Sequence, residues 1–146
     1  MEYIKIYTDW SCLWNPWPWW YAAILMYWEN SKKISWYELN TTNNRMELRA
    51  VIEALLLLKS NKIPIKMYVD SKYVADWVSN YLSKWESNNW KLSNKQDVKN
   101  QDLWKELSKL IKKFDKIERN WVKAHNNNPM NELVDKLARK EAESIK

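Results

Sequence analysis

The sequence predicts an α/β domain, a mixed sheet with helices on its faces. Two observations carry this. Alternating strand patterns crowd the N-terminal part of the chain, and beyond them short apolar strands alternate with helical repeats. A third observation fits no such fold comfortably. The 146 residues hold twelve tryptophans and no glycine, where average usage of ~7% would give roughly ten glycines.

Residues 3–8 alternate with β-branched and aromatic side chains and stop at Asp9, which reads as a strand ending at a carboxylate. Trp10, Trp14, Trp17, Trp19 and Trp20 then crowd a stretch with Pro16 and Pro18 that reads as consecutive tight turns. Glycine supplies positive φ there without steric cost, and an indole does not. Residues 21–28 and 33–39 are two further strands around a turn at Glu29, Asn30 and Ser31, which makes a three-stranded antiparallel meander. Thr42, Asn43 and Asn44 offer capping side chains to a helix running to Lys59, in which Met46, Leu48, Val51, Ile52, Leu55 and Leu58 recur at helical spacing.

A short apolar strand over 65–69 follows Pro64 and stops at Asp70, with Ser71 as cap for a helix to about Asn80. A second helical piece covers 81–87 and leads into a polar loop at Asn88 and Asn89. Leu103, Leu107, Leu110 and Ile111 mark another helix from Gln101, residues 117–122 a last strand, and 124–129 a loop. Leu133, Val134, Leu137, Ala138 and Ala142 mark a closing helix over 131–144. With the two pieces over 71–87 counted as one helical region, the resulting order is βββαβααβα.

The length suggests one domain over 1–146 that buries its own core without disulfides. Cys12 is the only cysteine and His125 the only histidine, too few for a zinc site, and a reducing compartment is the easier reading. No apolar run approaches the ~20 residues of a membrane span, and no signal peptide is evident, so a cytoplasmic protein without membrane association is expected. A net charge of +6 suits a polyanionic partner as well as it suits solubility.

Two strands that each end in aspartate matter because, if parallel and adjacent, they bring Asp9 and Asp70 to the sheet edge where ligands collect in open α/β folds. Glu47 near the start of the first helix and Asp135 in the last helix could point to the same place. Four carboxylates together repel unless cations hold them. Mg²⁺ takes oxygen ligands and shares its shell with phosphate, and two such ions activate a water and stabilise the leaving oxygen of a phosphodiester. Taken singly, each has a plainer role: an Asp at a strand end caps or turns, and Glu47 favours its helix N-terminus. Periodicity alone does not bring them together. His125 is either a surface loop residue beside Asn126, Asn127 and Asn128 or a mobile proton carrier.

Five stretches, YTDWSCLWNPWPWWYAA, TTNNRMEL, YVDSKYV, DLW and WVKAHNNNPMNELVDKLA, resemble in order the motifs of type 1 ribonuclease H. The resemblance covers essentially the whole chain. It implies the ribonuclease H-like fold, a five-stranded mixed sheet of order 3-2-1-4-5 flanked by helices. It also implies an endoribonuclease that hydrolyses the RNA strand of RNA/DNA hybrids with little sequence specificity, using two Mg²⁺ ions, with Mn²⁺ as a substitute. A monomer without an obligate protein partner is expected.

By the same resemblance, Asp9, Glu47, Asp70 and Asp135 match the metal-binding carboxylates, and His125 the loop histidine that assists proton transfer or product release. Cys12, Asn15, Asn43, Asn44 and Arg45 match contacts to the hybrid, largely at its minor groove. An A-form-like helix presents a wide minor groove where a 2′-hydroxyl is read. Thr42 and Asn100 match a pocket for a DNA-strand phosphate, while Asn40 and Lys72 depart from the pattern. Residues 81–99 match a basic protrusion in which Lys84, Lys91, Lys95 and Lys99 interleave with Trp85 and Trp90 and would meet phosphate without reading sequence. Trp85, Trp90 and Trp104 read first as residues packing the protrusion onto its neighbouring helix, ahead of any contact with substrate.

The tryptophans divide against this family. Trp10, Trp14, Trp17, Trp19, Trp20, Trp28, Trp36 and Trp77 align with its glycine positions, and Trp85, Trp90, Trp104 and Trp121 with tryptophan or ordinary aromatic sites. The first group reads as glycine in the living protein, because UGA means tryptophan in some genetic codes and glycine in others. As written, each indole forced into a glycine-only conformation would cost about 1–3 kcal/mol. The alternative to an enzyme is a non-catalytic hybrid-binding module in which tryptophans beside Asp9 block productive approach.

Overall fold

A computed structural model describes residues 3–11, 19–38, 42–59, 62–69, 74, 81–92, 94–114, 117–121, 132–134, 136–137 and 140. Five strands form one sheet: β1 (Ile4–Ser11), β2 (Trp19–Tyr27), β3 (Asn30–Glu38), β4 (Ile65–Val69) and β5 (Ile117–Trp121), in the order β3-β2-β1-β4-β5. The first three form the antiparallel meander, and β4 and β5 add in parallel beside β1. Among the described residues the helices with both ends placed are α1 (Asn43–Leu56), α2 (Leu82–Ser87) and α3 (Gln101–Ile111).

Alternation along β1 decides what lies on each face. Ile4 and Ile6 join Ala23, Leu25, Ile65 and Met67 in the main core, into which α1 inserts Leu48, Ile52 and Leu55 and α3 inserts Leu103, Trp104 and Leu107. Burial of each such side chain contributes about 1.5–3 kcal/mol. Tyr7 points the other way, with Ala22 and Ile24, against Val134, and its ring stacks on Tyr68 with centroids 4.5 Å apart. Glu132, Leu133, Val134, Lys136, Leu137 and Lys140 are helical, in the stretch where the sequence predicts the closing helix. Burial and the neighbouring Tyr68 push the Tyr7 phenol pKa up.

Four boundaries differ from the sequence expectation. Strand β2 begins at Trp19 rather than Tyr21, so Trp19 and Trp20 pair with β3 instead of belonging to the expected tight turns. The β1 strand continues past Asp9 to Ser11, because pairing with β2 extends through Asp9↔Ala22 and Ser11↔Trp20. The β2–β3 turn contains only Trp28 and Glu29, since Tyr27 already pairs with Asn30. Helix α1 ends at Leu56, and Leu57 and Leu58 close it through hydrogen bonds to Ala54 and Leu55 rather than continuing to Lys59. At its other end the Thr42 hydroxyl accepts the Arg45 N–H at 3.3 Å, the capping role its sequence position suggests. Of the helix expected between Ser71 and Asn80, only Val74 is described, and it is helical and buried.

Candidate active site

Asp9 sits inside β1 near its C-terminal end and is 8% exposed. A carboxylate this far from water needs donors. One is local: the main-chain N–H of Trp10 donates to Asp9 Oδ1 at 2.8 Å. Glu47 comes from the early part of α1, which packs across the sheet face opposite Tyr7. Its Oε1 accepts the indole N–H of Trp10 at 2.6 Å. One residue therefore touches both carboxylates, and the Trp10 ring rests on Tyr21, Met46 and Ala50.

Asp70, Asp135, His125, Cys12 and Asn15 lie outside the described residues, as do Asn40, Lys72 and the side chain of Asn43. Their chain neighbours are placed. Val69, the residue before Asp70, pairs in parallel with Thr8, the residue before Asp9. Val134, the residue before Asp135, is fully buried against the sheet face of Tyr7 and Ala22. Among the described residues no group of three His, Cys, Asp or Glu side chains forms a metal cluster. The donors described, an aspartate and a glutamate, are hard oxygen ligands of the kind that Mg²⁺ or Mn²⁺ takes.

A second group gathers where the N-termini of α1 and α3 meet. Arg45 binds Asp102 through both nitrogens, at 2.9 and 2.7 Å, and its Nη1 lies 3.4 Å from Asn100 Oδ1. This fork places Thr42, Arg45 and Asn100 on one surface, with Asn100 as the residue preceding α3 in a left-handed conformation at φ 58°. The Arg45 hydrogen bonds hold the Asp102 carboxyl down at a pKa of about 2. Sequence reasoning missed Asp102. An acid in the first turn of a helix facing an arginine was the available signal, but nothing in the sequence paired positions 45 and 102.

The basic protrusion is described in part. Lys84 lies over the Tyr81 ring at 5.8 Å, and Lys91 is bound to Asp97 across a β-bridge. Lys95 and Lys99 are exposed. Trp85 corrects an expectation. It is 4% exposed and packs edge-on against Trp104 at 5.4 Å, so its ring belongs to the core and offers no face for substrate.

Two tryptophans of the meander sit badly, and a third is seated on a candidate site residue. Trp28 has φ 57° and its side chain is 67% exposed. Trp20 is buried, yet its Nε1 finds no hydrogen-bond partner among the described residues, a state that costs about 1–3 kcal/mol. Trp10 occupies Glu47 as described above.

Comparison with known proteins supplies the class. The family model for RNase H matches residues 1–143. The chain is 45% identical over 139 residues to a ribonuclease H of Pseudoalteromonas atlantica, covering 95% of this chain and 90% of the relative. It is 46% identical to ribonuclease HI of Haemophilus influenzae, covering 97% and 90% respectively. Among solved structures, the crystal structure of LC9-RNase H1, a type 1 RNase H with the type 2 active-site motif, superposes with a TM-score of 0.84 at 26% identity, covering 100% of this chain and 74% of that one. A foamy viral protease-reverse transcriptase, solved in complex with an RNA/DNA hybrid, shares the fold with a TM-score of 0.82 at 22% identity, over 99% of this chain and 20% of that one. The chain belongs to the RNase H family.

Proposed function

We propose that this protein is an endoribonuclease that hydrolyses the RNA strand of RNA/DNA hybrids with little sequence preference. The observation that carries the reading is the meeting of buried Asp9 and Glu47 at one residue near the C-terminal end of β1. Asp9, Glu47, Asp70 and Asp135 would hold two Mg²⁺ ions, with Mn²⁺ as a substitute. Bound there, the ions would supply an activated water and charge stabilisation for the leaving oxygen.

The chain's own groups do the rest. Thr42, Asn43, Asn44, Arg45 and Asn100, together with Cys12 and Asn15, would seat the duplex. Lys84, Lys91 and Lys99 would meet backbone phosphate, Lys91 by exchanging Asp97 for it. His125 would carry a proton near the leaving group. The proposed working form is a single-domain monomer in the cytoplasm. No helix among the described residues is long and apolar enough to cross a membrane.

A second reading has one observation in its favour. The Trp10 indole N–H donates to Glu47 Oε1, one of the two carboxylate oxygens open to a cation, and this favours a hybrid-binding module without cleavage. A labelled RNA/DNA hybrid incubated with Mg²⁺ separates the two. Cleavage by a chain with glycine at the eight family glycine positions, and its loss in the same chain carrying Asp9→Asn, is the expected result. Folded protein that binds the hybrid and leaves it intact would establish the binding module.

A further inference from the structure

We propose that the living protein carries glycine at Trp10, Trp20 and Trp28, each encoded by a UGA codon that its source reads as glycine. Three unrelated places in the fold point to the same substitution. The first is conformational. Trp28 opens the two-residue β2–β3 turn with φ 57°, while Glu29 is not among the residues at positive φ. That is the pattern of a type II′ hairpin turn, whose first central position prefers glycine. The Trp28 ring gains little in return, standing exposed with an edge contact to Tyr27.

The second place is chemical. Trp20 buries an indole N–H that no described residue accepts from, although its ring contacts Tyr37. A buried indole ordinarily finds a partner for its N–H. Glycine has no such group to satisfy.

The third place is the carboxylate pair. The Trp10 main-chain N–H serves Asp9, and its indole N–H serves Glu47. A glycine keeps the first contact, which belongs to the backbone, and removes the second. The substitution thus preserves what holds Asp9 and clears Glu47, and only this argument leans on the catalytic reading.

Positive φ alone does not assign the swap. Trp90 has φ 62°, but its N–H donates to the Trp85 carbonyl at 2.7 Å and its carbonyl accepts from Val98 and Gln101. Its ring also packs on the main core. Trp85 and Trp104 lie within that core. Twelve tryptophans beside no glycine is what one misassigned codon produces, and among the described residues Trp85, Trp90 and Trp104 stand apart from Trp10, Trp20 and Trp28 in the ways given above.

Peptide mass spectrometry of the protein isolated from its own cells tests this independently of activity. Trypsin should release residues 6–32, with Trp10, Trp20 and Trp28, and residues 85–91, with Trp85 and Trp90. The expected result is the glycine mass at positions 10, 20 and 28 and the tryptophan mass at 85 and 90. Tryptophan at any of the first three overturns the assignment for that position. Glycine at 85 or 90 overturns the structural criterion that separated the two sets.

Discussion

The meander and the helical half of this protein use the same amino acid to opposite effect. Around α2 and α3, Trp85 and Trp104 are almost wholly buried and meet edge to face, where each ring fills core volume. In the meander, Trp28 stands in solvent in a left-handed turn, and Trp20 buries an N–H that none of the described residues accepts. The contrast between Trp90 and Trp28 is sharper still, because both have positive φ. Trp90 offsets its strain with backbone hydrogen bonds and a half-buried ring, and Trp28 has no counterpart to these among the described residues. A residue fits a site through the sum of its conformation, its polar partners and its packing, and no single one of these decides.

The largest effect expected from testing this comparison is at Trp104. Replacing it with alanine should cost about 3–5 kcal/mol in urea unfolding, the usual range for a buried Trp. A cost under ~1 kcal/mol would mean that the helical half does not depend on its indoles.

Next comes the pair with matched φ. Trp90→Gly should destabilise by about 1–3 kcal/mol, less than full burial would give because the ring is only partly covered. Trp28→Gly should stabilise by about 1–2 kcal/mol, the left-handed penalty of a non-glycine residue. Two changes of the same sign would break the comparison. Trp20→Phe should gain about 1 kcal/mol by removing the orphaned N–H while keeping most of the ring, and calorimetric Tm measured beside the parent chain reads it.

The smallest effect concerns Asp102. Its folded pKa of about 2 lies below the ordinary aspartate value of 3.8, so its pairing with Arg45 stabilises above the unfolded pKa. That contribution is lost as pH falls through about 2. Asp102 is largely exposed, so solvent screening should hold the effect of Asp102→Ala to about 1 kcal/mol or less. The stability difference between variant and parent should be present at neutral pH and should fade between pH 3.8 and about 2. A difference that persisted at the acid end would assign the effect to something other than the ion pair.

Much of the fold was legible because strands and helices announce themselves by period. The alternation at residues 3–8, the caps at Thr42 and the spacing from Met46 to Leu55 all correspond to observed elements. Boundaries were less legible. Nothing local says that β1 passes Asp9, because its last pairs come from β2. Of the site, Asp9 and Glu47 were readable as candidates, but the fork from Arg45 to Asp102 joins residues far apart in the chain and left no local trace.

By itself the sequence determined the order of the elements, the apolar faces and the excess of tryptophan over glycine, since these depend on residue type and spacing along one chain. Only the tertiary structure decided which tryptophans fit. That judgement needs φ at position 28, an acceptor for the Trp20 N–H and the carboxylate beneath the Trp10 indole. Each is a relation between a side chain and partners that folding brings to it.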